Sequence, residues 1–231
     1  MQSIAKKFFR VRDFYEENAI VQDHMQNKLL AFLLQKKFHS ILEIGCGVGS
    51  FTKKIINVLE FDSLICSDLE DYGNYLPSEA SFLLLDANEI HKINQSFDLI
   101  ISNACIQWLD QEKFFLNLEK ISLKGTTLVL GSFGKDNLKE IKQHTSIGLS
   151  YFSLKEYQSL LQEKWQILYL EEEIFPINFK SPLQAFRHLK FTGVNSLDSN
   201  HKLTKKSLKI FEDKFKNTIT YHPIYIIAKK L

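Results

Sequence analysis

Cysteine, proline and long apolar runs are all scarce in this 231-residue chain, and each scarcity removes a class of protein. The three cysteines, Cys46, Cys66 and Cys105, are odd in number, lack C-x-x-C spacing and fall in or beside expected strands. A disulfide framework or a zinc centre is therefore not expected, and a reducing, cytoplasmic location fits. The seven histidines show no clustered ligand spacing, so no metal site is expected. Four prolines and nine glycines form no linker, and no repeat or low-complexity block interrupts the chain, which reads as one domain over residues 1–231. No apolar run approaches the ~18 residues that span a bilayer, and the N-terminus lacks the apolar core of a secretory signal.

An excess of one charge is also missing, since 29 Lys and Arg face 27 Asp and Glu, but the distribution is uneven. Residues 1–12 hold four basic and no acidic side chains, residues 13–200 hold 17 against 25, and residues 201–231 hold eight against two. Phe8, Val11 and Tyr15 give the N-terminus the spacing of an amphipathic helix rather than a transit peptide. Lys202, Lys205, Lys206, Lys209, Lys214 and Lys216 recur on a helical stretch, 203–217, with Leu208 and Phe211 facing inward. Such a face is ordinarily solvated surface, yet it would also attract an acidic partner. The interleaved basic and aromatic pattern of single-strand binders is absent, so nucleic acid is not an expected partner.

What the chain has is a loop, Gly45-Cys46-Gly47-Val48-Gly49, between an apolar strand carrying Glu43 and a helical pattern. Glycines there permit positive φ and let backbone approach a ligand at the carboxyl end of a strand. The dinucleotide fingerprint would need glycine where Ser50 stands, which disfavours NAD. The pattern resembles the first motif of class I S-adenosylmethionine methyltransferases, whose loop lies against the methionine part of the cofactor. A glycine-rich turn that binds nothing is the bland alternative.

Strand candidates at His39–Ile44, Ser63–Ser67, Phe82–Leu85, Phe97–Asn103, Thr126–Phe133, Trp165–Phe175 and Thr218–Ala228 alternate with helical patterns. The helices are expected at Thr52–Leu59, Gln111–Leu123, Asp136–His144 and from Ser153 to about Lys164. The alternation predicts an α/β fold with a mostly parallel sheet covered on both faces. Residues 1–38 would form a helical cover over the ligand, and residues 176–217 a helical insertion or lid before the last strand. Asp68, with Leu69 beside it, ends the second strand about 20 residues past the loop, where a carboxylate can accept ribose hydroxyl protons. Asp86 and Ala87 end the third and would lie beside an adenine. Glu43 would anchor the loop from below. Acids after strands are also ordinary turn residues.

The fourth strand continues as Phe97-Asp98-Leu99-Ile100-Ile101-Ser102-Asn103-Ala104-Cys105-Ile106-Gln107-Trp108. It is similar to the F-D-L-[IV]-x-S-N-x-x-x-Q-W segment of the malonyl-carrier-protein O-methyltransferases of biotin synthesis. Phe9 to Ala19 with Tyr15, Gly131-Ser132-Phe133-Gly134 with Asn137-Leu138, Arg187-His188-Leu189-Lys190 with Thr192-Gly193-Val194-Asn195, and the ending from Leu203 to Tyr225 also resemble that family. Two places depart from it: Leu123-Lys124-Gly125 replaces the usual P-G-G turn, and Asp71-Tyr72-Gly73 follows the second strand where a helix-forming run is usual.

The resemblance implies a seven-stranded Rossmann-like fold whose final strand inserts antiparallel. It implies S-adenosylmethionine as cofactor, held by Glu43, Gly45, Cys46, Gly47, Gly49, Asp68, Leu69, Asp86, Ala87 and Asn103. It also implies transfer of a methyl group to the free carboxylate of malonyl-acyl carrier protein. An unperturbed carboxylic acid titrates near 4, so no general base is required. Tyr15 and Trp108 would line the transfer pocket, and Arg187 is the expected receptor for the substrate carboxylate. Lys190, Lys202, Lys205, Lys206 and Lys209 would receive the acidic carrier protein, with the enzyme acting as a monomer. Methylation of a free small acid, or cofactor binding without turnover, are the competing readings.

Overall fold

The computed structural model describes residues 2–192 and 203–231. Two helices, α1 (Gln2–Asn18) and α2 (Ile20–Phe32), lead into β1 (Lys37–Ile44), α3 (Ser50–Val58), β2 (Glu60–Asp68), β3 (Ser81–Leu84) and β4 (Phe97–Asn103). Next come α4 (Gln111–Leu118), β5 (Ser122–Phe133), α5 (Lys139–Thr145), α6 (Leu154–Leu161), β6 (Trp165–Glu172) and β7 (Phe175–Asn178). The chain ends with α7 (Pro182–Phe191), α8 (Lys205–Phe215), β8 (Thr218–Tyr221) and β9 (Pro223–Lys230). No helix among the described residues is long and apolar enough to cross a membrane.

Seven strands form one sheet in the order β3-β2-β1-β4-β5-β9-β6. The strands from β3 through β5 pair in parallel, and β9 runs antiparallel to both β5 and β6. Side chains alternate between faces with period two, so successive residues of one strand join different cores. In β4, Leu99 and Ile101 pack in the cluster that holds Met25 and Leu29 of α2 and Ile55 of α3, while Ile100 packs with Phe114, Leu118 and Tyr157 on the other face. Covering both faces is what lets β4 be a nearly continuous apolar run. Strand order reverses at β1, and the carboxyl ends of β1 and β4 there form the crevice where such sheets bind ligands.

The structure corrects two of the expected strands. The run expected at Trp165–Phe175 is broken into β6 and β7, and the one expected at Thr218–Ala228 is broken into β8 and β9. The breaks face each other, with Glu173 N–H donating to Pro223 O at 3.0 Å. One antiparallel ladder therefore bends there, and its outer half, β7 with β8, is a separate two-stranded sheet. His222 fills the bend. Its carbonyl accepts from Gly134 N–H at 2.7 Å, and its ring lies between Asp136 N–H and Glu172 Oε2, each 3.1 Å away. The helix expected at Gln111–Leu123 ends at Leu118 with one 3-10 turn, because β5 already starts at Ser122; a register shift accommodates Gly125, at φ +92°.

The insertion hangs on the small sheet. Helix α7 starts with Ser181 accepting from Gln184 N–H and Pro182 in its first turn, and it buries Ala185, Phe186, His188 and Leu189. His188 is 6% exposed, its Nε2 lies 2.8 Å from Tyr221 Oη, and burial pushes its imidazole from 6.5 down to about 4. The unfolded chain therefore takes up a proton near pH 6.5 that the folded chain refuses until about pH 4. Stability carried by neutral His188 is complete above pH 6.5 and is lost as pH falls toward 4, by roughly 3 kcal/mol in full. Urea unfolding at pH 7.5 and 4.5 should show that loss, and His188→Gln should make it smaller. An equal acid loss in the variant would remove this account of α7 docking.

Candidate active site

The loop after β1 takes left-handed backbone at Gly45, Gly47 and Gly49, with φ of +73°, +50° and +79°. Gly45 and Cys46 N–H both donate to Ser67 O, at 2.8 and 3.1 Å, which fastens the loop to β2. A Cβ added at Gly45 would lie 2.5 Å from Cys105 Sγ, whereas one at Gly47 would meet nothing within 4 Å. The first glycine is required by packing. The second presents bare backbone to open space.

Asp68 at the end of β2 is built into this cradle. Its Oδ2 accepts Gly47 N–H at 3.0 Å and its Oδ1 accepts Leu69 N–H at 2.7 Å. Burial nevertheless raises its carboxyl above the usual range, because the apolar surroundings outweigh these donors. Glu43, 1% exposed, accepts from Thr52 Oγ1 at 2.6 Å and so ties the first turn of α3 to β1 beneath the loop. Its carboxyl is pushed well up by desolvation.

The pocket spans from this loop to the ends of β3 and β4. Asp86 and Ala87 form one wall, and Asp86 also accepts Asn88 N–H at 2.9 Å, starting a 3-10 turn. Asn103 and Ala104 form the next wall, Ala104 holding a strained φ of +54° for a residue other than glycine. Asn103 donates from Nδ2 to Gln22 O at 3.2 Å, while its buried Oδ1 has no partner. Gln26, on α2 and 6% exposed, also lines the pocket, and its buried Oε1 is equally unpaired.

Helix α1 closes the top with Ala5, Phe8, Arg12 and Tyr15, spaced three and four apart and hence on one helix face. Phe8 stands edge-on to both Tyr15 and Trp108, with centroids 6.4 and 5.7 Å away. Desolvation raises the Tyr15 hydroxyl above the ordinary phenol range, so it remains a protonated donor at neutral pH. On the outer side Glu16 ties α1 to α3, accepting from Ser50 Oγ at 2.9 Å and Lys53 Nζ at 3.0 Å.

The residues expected to touch cofactor all line this pocket except Gly49, which sits behind it at the start of α3. Tyr15 and Trp108 line it as well. Arg187 does not: the inward residues of α7 leave Arg187 and Lys190 on its exposed outer face. Lys205 and Lys206 are exposed on α8 with no ion-pair partner among the described residues, and Lys209 is engaged by Asp213 at 2.9 Å. Lys202 and the Gly193-Val194-Asn195 motif lie outside the described residues. Sequence reasoning missed Phe8, Arg12, Gln26 and Tyr72 as lining residues. Gln26 had a readable signal, a polar residue on the inward stripe of Val21, Met25, Leu29 and Leu30.

The pocket fits S-adenosylmethionine on observations internal to the fold. A bare-backbone cradle opens onto it at Gly47, an acid stands at the end of each of β2 and β3, and two buried amide oxygens lack partners. Comparison with known proteins points the same way. Residues 42–130 match the family described as a methyltransferase domain. A malonyl-[acyl-carrier protein] O-methyltransferase of Calditerrivibrio nitroreducens is 33% identical over 100% of this chain and 97% of its own length. One of Bacteroides thetaiotaomicron is 34% identical over 98% and 97%. Among solved structures, the N-methyltransferase NodS of Bradyrhizobium japonicum, in complex with S-adenosyl-L-homocysteine, superposes with a TM-score of 0.55 at 14% identity, covering 99% of this chain and 97% of its own, which shows the shared fold.

Proposed function

We propose, for a chain that belongs to the malonyl-[acyl-carrier protein] O-methyltransferase family, the transfer of a methyl group from S-adenosylmethionine to the free carboxylate of malonyl-acyl carrier protein. The observation that carries this reading is the opposition, across one pocket, of the glycine cradle and the aromatic roof of Phe8, Tyr15 and Trp108. When bound, S-adenosylmethionine supplies a methyl group made electrophilic by a sulfonium. The chain's own contribution is alignment and dryness. The acceptor is already anionic at neutral pH, so rate comes from holding its oxygen in line and keeping water out, effects worth up to several kcal/mol. Asp68 and Asp86 would receive the ribose and adenine ends, and Gln26 and Asn103 the amino-acid end, whose ammonium could donate to their free oxygens.

The product has a simple physical use. A charged carboxylate would be costly to place in an apolar chain-elongation site, and its methyl ester is neutral, which suits a primer for pimeloyl and biotin synthesis. Carrier-protein docking falls to Lys190 on α7 and to Lys205 and Lys206 on α8, which packs against it, together with Lys202 outside the described residues, with Lys209 weakened by its own ion pair. The enzyme works as a cytoplasmic monomer without nucleic acid in this reading.

Mass spectrometry of malonyl-acyl carrier protein incubated with this protein and S-adenosylmethionine tests it, with acetyl-carrier protein as control. The expected result is one added methylene mass on the malonyl form alone, formed more slowly as salt is raised because the docking charges are screened. No gain, with the cofactor shown to bind, would leave a free small acid as the substrate or a role without turnover. A rate indifferent to salt would remove the lysines.

A further inference from the structure

The geometry points to Arg12 on the roof helix as the receptor for the substrate carboxylate, selecting an anionic acyl group at the binding step rather than accelerating its methylation. This rests on the reading above and names the specificity determinant of the same pocket. A negatively charged acceptor entering the site meets Glu43, Asp68 and Asp86, and Arg12 is the only cationic side chain among the described residues that line it. Arg187, the other candidate, lies on the outer face of α7.

The guanidinium is held rather than free. Its Nε donates to Tyr75 Oη, its Nη1 donates to Phe9 O at 2.7 Å, and its carbon lies 4.5 Å from the Phe9 ring centroid and 5.6 Å from that of Tyr75. Asp13 approaches Nε at 3.8 Å from the solvent side. Nη2 has no partner among the described residues, so an oriented edge of the group remains for a carboxylate, the pairing that a planar fork suits best. Arg12 stands one helical turn from Phe8 on one side and from Tyr15 on the other. A carboxylate reaching it from the pocket therefore lies along the aromatic roof.

The chemistry decides which kinetic constant Arg12 controls. The carboxylate oxygen forms the new bond to carbon with its own electron pair, the carbon–sulfur pair returns to sulfur, and anion and sulfonium both become neutral. An ion pair to the carboxylate is strongest before transfer and weakens as the negative charge disappears, so it stabilises the bound substrate more than the transition state. It also releases the neutral ester more readily than it holds the acid.

Arg12→Gln is expected to raise the KM for malonyl-carrier protein by ~10-fold or more with kcat unchanged or slightly higher, the pattern of lost ground-state binding. Arg12→Lys should fall between. Equilibrium titration with malonyl- and acetyl-carrier protein, in the presence of saturating S-adenosyl-L-homocysteine, separates this inference from the reading it rests on. A malonyl preference in the parent that disappears in Arg12→Gln, with homocysteine-cofactor affinity intact in both, supports the assignment whether or not methyl transfer occurs. A parent without preference, a preference that survives in Arg12→Gln, or a loss confined to kcat overturns it. Should Arg12→Gln lose cofactor affinity through a displaced α1, the same titration on Arg12→Lys decides, since retained charge must retain at least part of the preference.

Discussion

Replacing Gly47 by alanine should weaken S-adenosylmethionine binding by about 10- to 100-fold while lowering stability by only about 1 kcal/mol. At φ +50° the alanine pays the left-handed cost, of order 1–2 kcal/mol, but its methyl meets nothing of the protein within 4 Å. If the loop holds the cofactor as proposed, the new atom would project into the space the cofactor needs, and overpacking a ligand contact by one methyl costs about 1–3 kcal/mol, hence the range. Gly45→Ala should behave differently, losing stability first, because its Cβ would lie 2.5 and 2.6 Å from Cys105 Sγ and Cβ. Thermal unfolding with and without S-adenosyl-L-homocysteine distinguishes the two: Gly47→Ala should lose only about 2–4 °C of Tm without ligand but most of the ligand-induced rise. A full rise in Gly47→Ala would mean that this stretch of loop is not the contact surface.

Gly134→Ala should cost about 3 kcal/mol or more although it lies far from any expected contact with cofactor. A Cβ there would stand 2.7 to 2.9 Å from three atoms of the His222 ring. The ring cannot simply swing away, since Asp136 N–H, Glu172 and the Asn137 bond to His222 N–H hold that residue in the bend of the ladder. Overpacking of about 1–3 kcal/mol adds to the loss of buried hydrogen bonds, each about 1–3 kcal/mol when a partner is left unpaired. Chemical denaturation of Gly134→Ala, His222→Ser and the double variant forms the test. If the clash is the cause, the double variant loses less than the two singles together, by at least about 1 kcal/mol. Additive losses would place the damage elsewhere.

How much of this was readable depends on whether the signal is local. The glycine loop, Glu43, Asp68 and Asp86 are written at fixed offsets from strand ends, and the sheet places them around one crevice as those offsets require. The strand Phe97–Asn103 was legible to the residue because its centre, Leu99–Ile101, is the unbroken apolar run of a parallel strand covered on both faces. The breaks after β6 and before β9 were not read, although Pro176 beyond one and Pro223 at the other are local signals of an interrupted strand; the mutual pairing of the two halves fixes where the ladder bends. Arg187 was singled out because arginine is rare here, but rarity says nothing of direction. The helical phase set by Ala185, Phe186, His188 and Leu189 turns it outward, while Arg12 faces the pocket only because α1 folds back over β4 and the loop.

The position of β9 bears on how fast the chain reaches this state. It fills the gap between β5 and β6, pairing Gly131 with Tyr225 and Leu170 with Ile226, so the sheet closes only when segments almost a hundred residues apart meet. Until then β5 is an open edge of buried-type residues, Leu128, Val129 and Leu130, next to a half-built crevice. Pairings of such long sequence separation form slowly and leave edges exposed to other chains meanwhile. The last event in refolding should therefore be strand insertion rather than helix docking, and recovery from denaturant should fall as protein concentration rises.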